Sequence, residues 1–501
     1  MEVKKLFTKG IDNNIKAVTG LSPQEVWKHF AVISSIPRGS KNESRVIQYI
    51  AELAVQQKLM SMRVGLDNLL VRIPPSVGYE EVPSICLQAH VDMVWEPKDH
   101  DFENIGIEFR VDGDYLKANG TTLGGDNGIG LAIMMAYMIN KNLKHGPLEL
   151  LFTVDEETGC NGAKRIEPNF ILSRLLINLD SEERDSIYIG CAGGGYVTGI
   201  SEIDYVKVDA DGPDGVLTIS IEGLLGGHSG GDIHEGRANA IKLLGEILSF
   251  LRKKKIEIYL TDISGGNSRN AIPSEAKASF LFYNSKSTEL IESLEKIKDE
   301  LKNRYKDVDP NISIDEEYIR RDSPVVAFSQ EYTDFLLKAI NTVPHGVIRM
   351  DSHHKSLVET SNNLATINIV DDNKVEVVAM YRSSDKEMLE TVGQDISKIL
   401  GKYIFKVNLE KVLSAWQPNY KSYFLDDISD VYKRVNHHNP TILITHGGLE
   451  PAIFAGTIPD MDMVSIGPTI KNVHTTEEVV DIKSVELFFK FLTTFLEEYS
   501  L

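Results

Sequence analysis

Three short, mostly apolar runs, each followed at once by a histidine or a carboxylate, constrain this chain more than any other feature. Ser84 to Ala89 runs into His90-Val91-Asp92, Leu148 to Val154 into Asp155-Glu156-Glu157, and Leu175 to Leu179 into Asp180. Runs this short and this apolar read as buried strands. Helical patterns alternate with them. Val46, Ile50 and Leu53 recur at helical spacing after Pro37-Arg38-Gly39-Ser40, and Ile129 to Ile139 follows Gly124-Gly125-Asp126-Asn127-Gly128 as a buried helix. Such alternation predicts an α/β domain, and open α/β sheets build their sites at the carboxyl ends of strands.

The pattern changes near Cys191-Ala192-Gly193-Gly194-Gly195. Beyond it come an amphipathic strand from Val216 to Glu222 and a helix with Ile241, Leu244, Leu248 and Leu251 on one face. A charged surface helix from Ser285 to Lys306 and a strand from Val375 to Tyr381 follow. After Trp416 the first pattern returns: a helix, strands Thr441 to Thr445 and Met463 to Ile466, and a last helix from Ser484 to Leu496. A chain of 501 residues has length for two or three domains of roughly 100–200 residues each. The simplest organisation is an α/β domain made of residues 1–195 and 412–501, with an α+β domain of residues 196–411 inserted. No internal repeat or low-complexity segment interrupts it.

Charge and cysteine usage exclude several roles. Lys and Arg number 53 against 73 Asp and Glu, a net charge of −20, which argues against a nucleic-acid partner. The three cysteines, Cys86, Cys160 and Cys191, form no CxxC pair. That predicts no disulfide framework and fits a reducing compartment. Cys86 falls in an apolar run and is expected in the core. Met1 to Thr19 is charged and does not read as a secretory signal. No window reaches the roughly 18 apolar residues of a membrane helix. A soluble, cytoplasmic protein without a membrane partner is the expectation.

The strand-end residues offer ligands and bases. His90 can bind a metal through one ring nitrogen, its other N–H needing an acceptor; Asp92, two residues on, points to the same side of an extended segment and can orient a ligand. Asp126 reads either as a helix cap or as a carboxylate bridging two cations. Asp155-Glu156-Glu157 is either an acidic loop or helix start, or a cluster in which one carboxylate binds metal and another takes a proton from water. Asp180 and His474 complete a set of histidines and carboxylates suited to zinc or manganese. In the middle region, His228 of Gly226-Gly227-His228-Ser229-Gly230-Gly231-Asp232 could donate to an oxyanion. Asn270, in Asn270-Ala271-Ile272-Pro273, is a further candidate. Arg382 could grip a carboxylate by two contacts, although a surface salt bridge is its commoner use.

Taken in order, His90-x-Asp92, Asp126, Glu156-Glu157, Asp180, the Gly227-His228-Ser229-Gly230 loop, Asn270 and His474 resemble the M20 family of metallopeptidases over nearly the whole chain. Thr121 to Gly130, Thr153 to Gly159, Gly190 to Gly194 and Val358-Glu359-Thr360-Ser361 resemble its aminoacyl-histidine dipeptidase branch. The resemblance implies a zinc-peptidase-like α/β catalytic domain with an inserted α+β lid and dimerisation domain. It implies two divalent ions per subunit, zinc with manganese or cobalt as alternatives. His90, Asp126 and Asp180 would hold one and Asp126, Glu157 and His474 the other. Glu156 would be the general base, Asp92 the residue orienting His90, and His228 the oxyanion donor. Asn270, Arg382, Gly448 and Glu450 would bind substrate, Arg382 at its terminal carboxylate and Glu450 at its free amine. The implied activity is hydrolysis of dipeptides by a homodimer. N-acyl amino acids or tripeptides are the alternative substrates. Pro451-Ala452 and Thr475-Thr476 depart from the Cys-Gly and Ser-Pro common in the branch, which bears on substrate preference.

Overall fold

The computed structural model describes residues 6–8, 10–65, 67–209, 211–321 and 323–499. Met1 to Lys5 of the charged N-terminal segment lie outside them. The chain divides into two compact units: Met1–Gly190, Trp416–Ile444 and Leu449–Leu501 form the first, Cys191–Ala415 and Thr445–Gly448 the second.

The first unit is built on an eight-stranded sheet. Ile85–His90 pairs in parallel with Leu148–Thr153 on one side and Leu175–Asn178 on the other, and Asp462–Ser465 extends the parallel set beside Leu175–Asn178. The first strand continues through His90, one residue past the apolar run, because His90 still pairs with Thr153. The carboxyl ends of all these strands therefore open on the same edge. Strands Ile85–His90 and Leu148–Thr153 are buried at every position, which is why they read as unbroken rather than alternating runs.

The helix after the glycine turn starts at Gly125, earlier than its apolar run, and spans Gly125–Ile139; only Asp126 and Ile139 escape burial. A helix enclosed on all sides needs no polar face. The last helix, Ile482–Glu498, is capped by the Asp481 side chain, which accepts from Ser484 N. It buries Val485, Phe488, Phe491, Leu492 and Phe495, each contributing roughly 1.5–3 kcal/mol relative to exposure. A smaller four-stranded sheet pairs Val479–Asp481 with Tyr115–Ala118 and with Ile470–Lys471. The segment between Ile470–Lys471 and Val479–Asp481 carries His474. All three cysteines are buried, and none of them is in a disulfide.

The second unit carries a nine-stranded antiparallel sheet whose order begins at Ser313–Arg320 and ends at Lys406–Leu413. Strand Gly215–Glu222 alternates buried and half-buried residues, the period of a strand with one face on a core. Helices Ala240–Lys253, Gln330–Thr342 and Lys386–Lys402 share that core, and so does Ser287–Tyr305, the helix read as a charged surface element. Its Leu290, Leu294, Ile297 and Leu301 form the inward stripe. Among the described residues no helix is long and apolar enough to cross a membrane.

Candidate metal centre

The shared edge of the first unit's parallel strands brings the histidines and carboxylates together. Asp126 stands at the centre. Its Oδ1 lies 2.9 Å from His90 Nε2 and its Oδ2 lies 3.2 Å from His474 Nε2. The two oxygens thus face two different imidazoles. His90 Nε2 is also 3.2 Å from Asp180 Oδ1, and His474 Nε2 is 3.0 Å from Glu157 Oε2. Two triads result, His90–Asp126–Asp180 and Asp126–Glu157–His474, each with donor atoms within 4.8 Å of one another. Asn127 Nδ2 donates to Asp180 Oδ1 at 2.5 Å. The Asp126–Asn127 peptide is cis. His474 and Asp155 have φ of 63° and 52°, a region uncommon for residues other than glycine and often found where a site demands it.

Asp92 is a hub. The His90 ring turns Nδ1 towards it, 3.2 Å from the Asp92 carbonyl and 3.5 Å from Oδ1. Asp92 Oδ1 accepts from Glu156 N at 3.0 Å, and Oδ2 accepts from Ser40 Oγ at 2.8 Å and Glu157 N at 3.2 Å. One carboxylate therefore fixes the ring of His90 and the backbone that carries Glu156 and Glu157. Two further groups are close-set: His90–Glu156–Glu157, within the same centre, and Glu43–Asp92–Asp155. In the latter, Glu43 Oε1 accepts from the N–H groups of Lys41 and Asp155, and the Asp155 oxygens accept from Thr158 and Asn161.

The electrostatics follow from crowding buried carboxylates. Burial, reinforced by Asp180, Glu157 and Glu450 against the pull of His90, pushes Glu156 well above the usual carboxylate range. Burial likewise raises Asp180 to about 6 and Glu450 to about 8. His474, held by Asp126 and Glu157, rises to about 11; His90 also rises, its burial outweighed by Asp180, Asp126 and Asp92. The two imidazoles thus carry the positive charge that this cluster demands. Buried carboxylates in such number require cations. Imidazoles and carboxylates with one carboxylate shared are the donor set of a two-cation centre for zinc, manganese or cobalt. The residues present fit such a pair.

Several residues around the centre had no local signal in the sequence. Glu478 accepts from the backbone N–H groups of Leu123, Gly124, Gly125 and Asp126. Arg38 is fully buried; it donates to the carbonyls of Val91 at 3.0 Å, Asp92 at 3.1 Å and Gly124 at 2.5 Å, tying the His90 segment to the Asp126 loop. Cys160 Sγ lies 3.3 Å from Glu156 Oε1. Glu450, expected at the substrate amine, is wholly buried. Its Oε2 accepts from Gln88 Nε2 at 2.5 Å and Thr153 Oγ1 at 2.7 Å, while Oε1 has no partner. Gln88 continues through Asn178 to Ser465, so a row of polar side chains crosses four neighbouring strands.

In the second unit, His228 Nδ1 accepts from Gly230 N at 3.2 Å and Gly231 N at 3.0 Å. Those bonds leave the ring proton on Nε2, a free donor. Burial and then Arg382 hold His228 below its ordinary value and hence neutral. Arg382 does not make the surface salt bridge its type suggested. It is 7% exposed, its Nη2 is 3.4 Å from Ser229 Oγ, and its Nε has no partner. No carboxylate among the described residues pairs with it, and a buried guanidinium without an anion is a site for one. His446 Nε2 lies 2.7 Å from Ser361 Oγ, and its pKa is depressed to about 3 by burial and then by Arg382. Asn270 Oδ1 accepts from Tyr196 OH at 2.7 Å, which leaves its Nδ2 to donate. At Gly448 a Cβ would come within 2.6 Å of Leu413.

An α/β sheet with histidines and carboxylates gathered at its strand ends is the architecture of a metal-dependent hydrolase. Residues 219–309 match the peptidase dimerisation domain of M20 enzymes. Over 484 residues, 95% of this chain and 98% of the relative, the sequence is 37% identical to the cytosol non-specific dipeptidase of Escherichia coli strain K12. The crystal structure of aminoacylhistidine dipeptidase from Vibrio alginolyticus superposes with a TM-score of 0.87 at 34% identity, covering 96% of this chain and 98% of that one. Aminopeptidase PepT from Bacillus cereus ATCC 10987 shares the fold, at 15% identity and a TM-score of 0.62 over 96% of this chain and 100% of that one. The chain belongs to the M20 family of metallopeptidases, in its aminoacylhistidine dipeptidase branch.

Proposed function

We propose that this protein is a cytoplasmic, homodimeric dipeptidase that works with two divalent ions, zinc first among them. The observation that carries the reading is Asp126, whose two oxygens face the two imidazoles His90 and His474. His90, Asp126 and Asp180 would hold one ion, and Asp126, Glu157 and His474 the other. When bound, the pair polarises the scissile carbonyl and lowers the pKa of the attacking water. Cytoplasmic location is supported by the cytosolic relative from E. coli, and dimerisation by the match over residues 219–309.

Glu156 takes the proton of the attacking water and returns it to the leaving amine. Its raised affinity for a proton suits both halves of that task. Asp92 keeps His90 in the tautomer that presents Nε2 and holds the Glu156 backbone in place. His228 supplies its Nε2–H to the oxygen on which negative charge develops. The unpaired, buried guanidinium of Arg382 takes the terminal carboxylate of the substrate, and the Asn270 amide donates to a backbone carbonyl. Glu450 is better placed to shape the floor of the centre than to meet a substrate amine, since both its recorded donors lie within the sheet.

The test is hydrolysis of a dipeptide panel that includes Xaa-His and β-Ala-His, with wild type and Glu156→Ala compared before and after chelation. Activity lost on chelation, restored by zinc and absent in the variant supports the reading. Cleavage of N-acyl amino acids or tripeptides in preference to every dipeptide would replace the substrate class.

A further inference from the structure

Glu478 is 3% exposed, and its carboxylate is surrounded by backbone donors. Oε2 accepts from Leu123 N at 2.7 Å and Gly124 N at 2.9 Å; Oε1 accepts from Gly125 N at 2.8 Å and Asp126 N at 3.3 Å. Four consecutive peptide N–H groups thus converge on one side chain that stands just before strand Val479–Asp481, |i−j| being 352 for the Asp126 contact. The loop is shaped to allow it. Gly124 has φ of 69°, where a Cβ would meet Arg38 and Met93, and a Cβ on Gly125 would come within 2.4 Å of Val480 and 3.3 Å of Glu478 Oε1. Arg38 grips the same loop through the Gly124 carbonyl.

We propose that Glu478 is a positioning residue for the metal centre: it touches neither ion, and it sets the direction of the Asp126 side chain and hence the relation between the two ion sites. The proposal rests on the two-ion reading above. Four hydrogen bonds to one carboxylate, a stronger acceptor than a neutral oxygen, fix the successive peptide planes that lead into Asp126. A glutamine in the same place has one acceptor oxygen, and its NH2 would confront the N–H groups that the second oxygen now receives. An aspartate keeps the charge but is one methylene short of the loop. If Glu478 served only to stabilise the fold, its replacement would lower the melting temperature and leave the ion affinity of the folded protein unchanged.

The experiment compares full-length wild type, Glu478→Gln and Glu478→Asp. Each is stripped with a chelator and titrated with Zn2+ alone in competition with a chromophoric chelator, and the melting of the metal-free protein is recorded alongside. Wild type is expected to take two ions. Glu478→Gln is expected to bind at least one of them 10-fold or more weakly, within the 10–100-fold typical when a partner of a metal ligand is lost, with Glu478→Asp between the two. Two zinc ions bound with wild-type affinity by Glu478→Gln overturn the proposal, whatever its melting temperature. Should that variant fail to fold, wild-type affinity in Glu478→Asp overturns it equally. A wild-type protein that takes no zinc removes the two-ion reading itself, an outcome distinct from the others.

Discussion

Replacing Asp92 with asparagine tests the centre at its most connected point. The side chain is fully buried; one oxygen accepts from Glu156 N and lies 3.5 Å from His90 Nδ1, and the other accepts from Ser40 Oγ and Glu157 N. Asparagine fills the same volume. Wherever its amide oxygen sits, its NH2 must face a backbone N–H, of Glu156 or of Glu157. At least one charge-assisted hydrogen bond is then lost, at about 1.5–3 kcal/mol, and every remaining one weakens. With about 1.36 kcal/mol per tenfold in rate, kcat/KM should fall about 10- to 150-fold. The assay is dipeptide hydrolysis at saturating zinc, with metal content and melting temperature measured on the same samples. Ser40→Ala removes one donor to the same carboxylate, worth about 1.5–3 kcal/mol, and sets no donor against a donor, so its loss should not exceed that of Asp92→Asn. An Asp92→Asn enzyme within twofold of wild type, with the same ion content, would refute the idea that this carboxylate organises His90 and the Glu156 backbone.

Three further outcomes are expected. His228→Ala should lower kcat by about 10²–10³-fold, the size of a lost oxyanion donor, with ion content unchanged; a loss confined to KM would give His228 a binding role instead. Metal loading should release protons, because His474 and His90 are held above their ordinary values and must give up a proton to bind. Zinc affinity should therefore climb with pH, and a pH-independent affinity between 6 and 8 would count against these ligands. His345 and His446 are depressed to about 4 and about 3 by burial. The unfolded chain binds protons there that the folded one excludes, so stability is complete above about pH 6.5 and falls as pH drops towards 4. Urea midpoints across that window check the slope, which should lessen in His446→Gln.

What the sequence disclosed was local. The buried strands were readable because Ile85–His90 and Leu148–Thr153 are enclosed on both faces and so lack polar interruptions. The strand ends that carry His90, Asp155 to Glu157 and Asp180 followed from the same runs. Strand limits moved by a residue, as at His90, where ladder pairing outlasts apolar character. Helix Gly125–Ile139 began early because its first turn is glycine and aspartate rather than apolar residues. The inward stripe of Ser287–Tyr305 was masked by the charges between its leucines. Glu478 and Arg38 were invisible for another reason. They act on backbone groups far away in the chain, and a backbone N–H has no letter in a sequence. The state of His228 was hidden likewise, since its proton is placed by the N–H groups of two glycines.

The order of strands in the first unit has a consequence for synthesis. Asp462–Ser465 lies within the sheet beside Leu175–Asn178, and Ser465 and Asn178 are 287 positions apart. At about 5–20 residues per second, the ribosome needs on the order of 14–60 seconds to deliver the missing strand after its neighbour. The whole of the second unit, Cys191–Ala415 and Thr445–Gly448, is made within that interval. The nascent first unit meanwhile exposes a sheet edge, its carboxylates lack His474, and the N–H groups of Leu123 to Asp126 lack Glu478 to accept from them. The metal centre therefore cannot be completed until the stretch that carries Asp462–Ser465, His474 and Glu478 has been made.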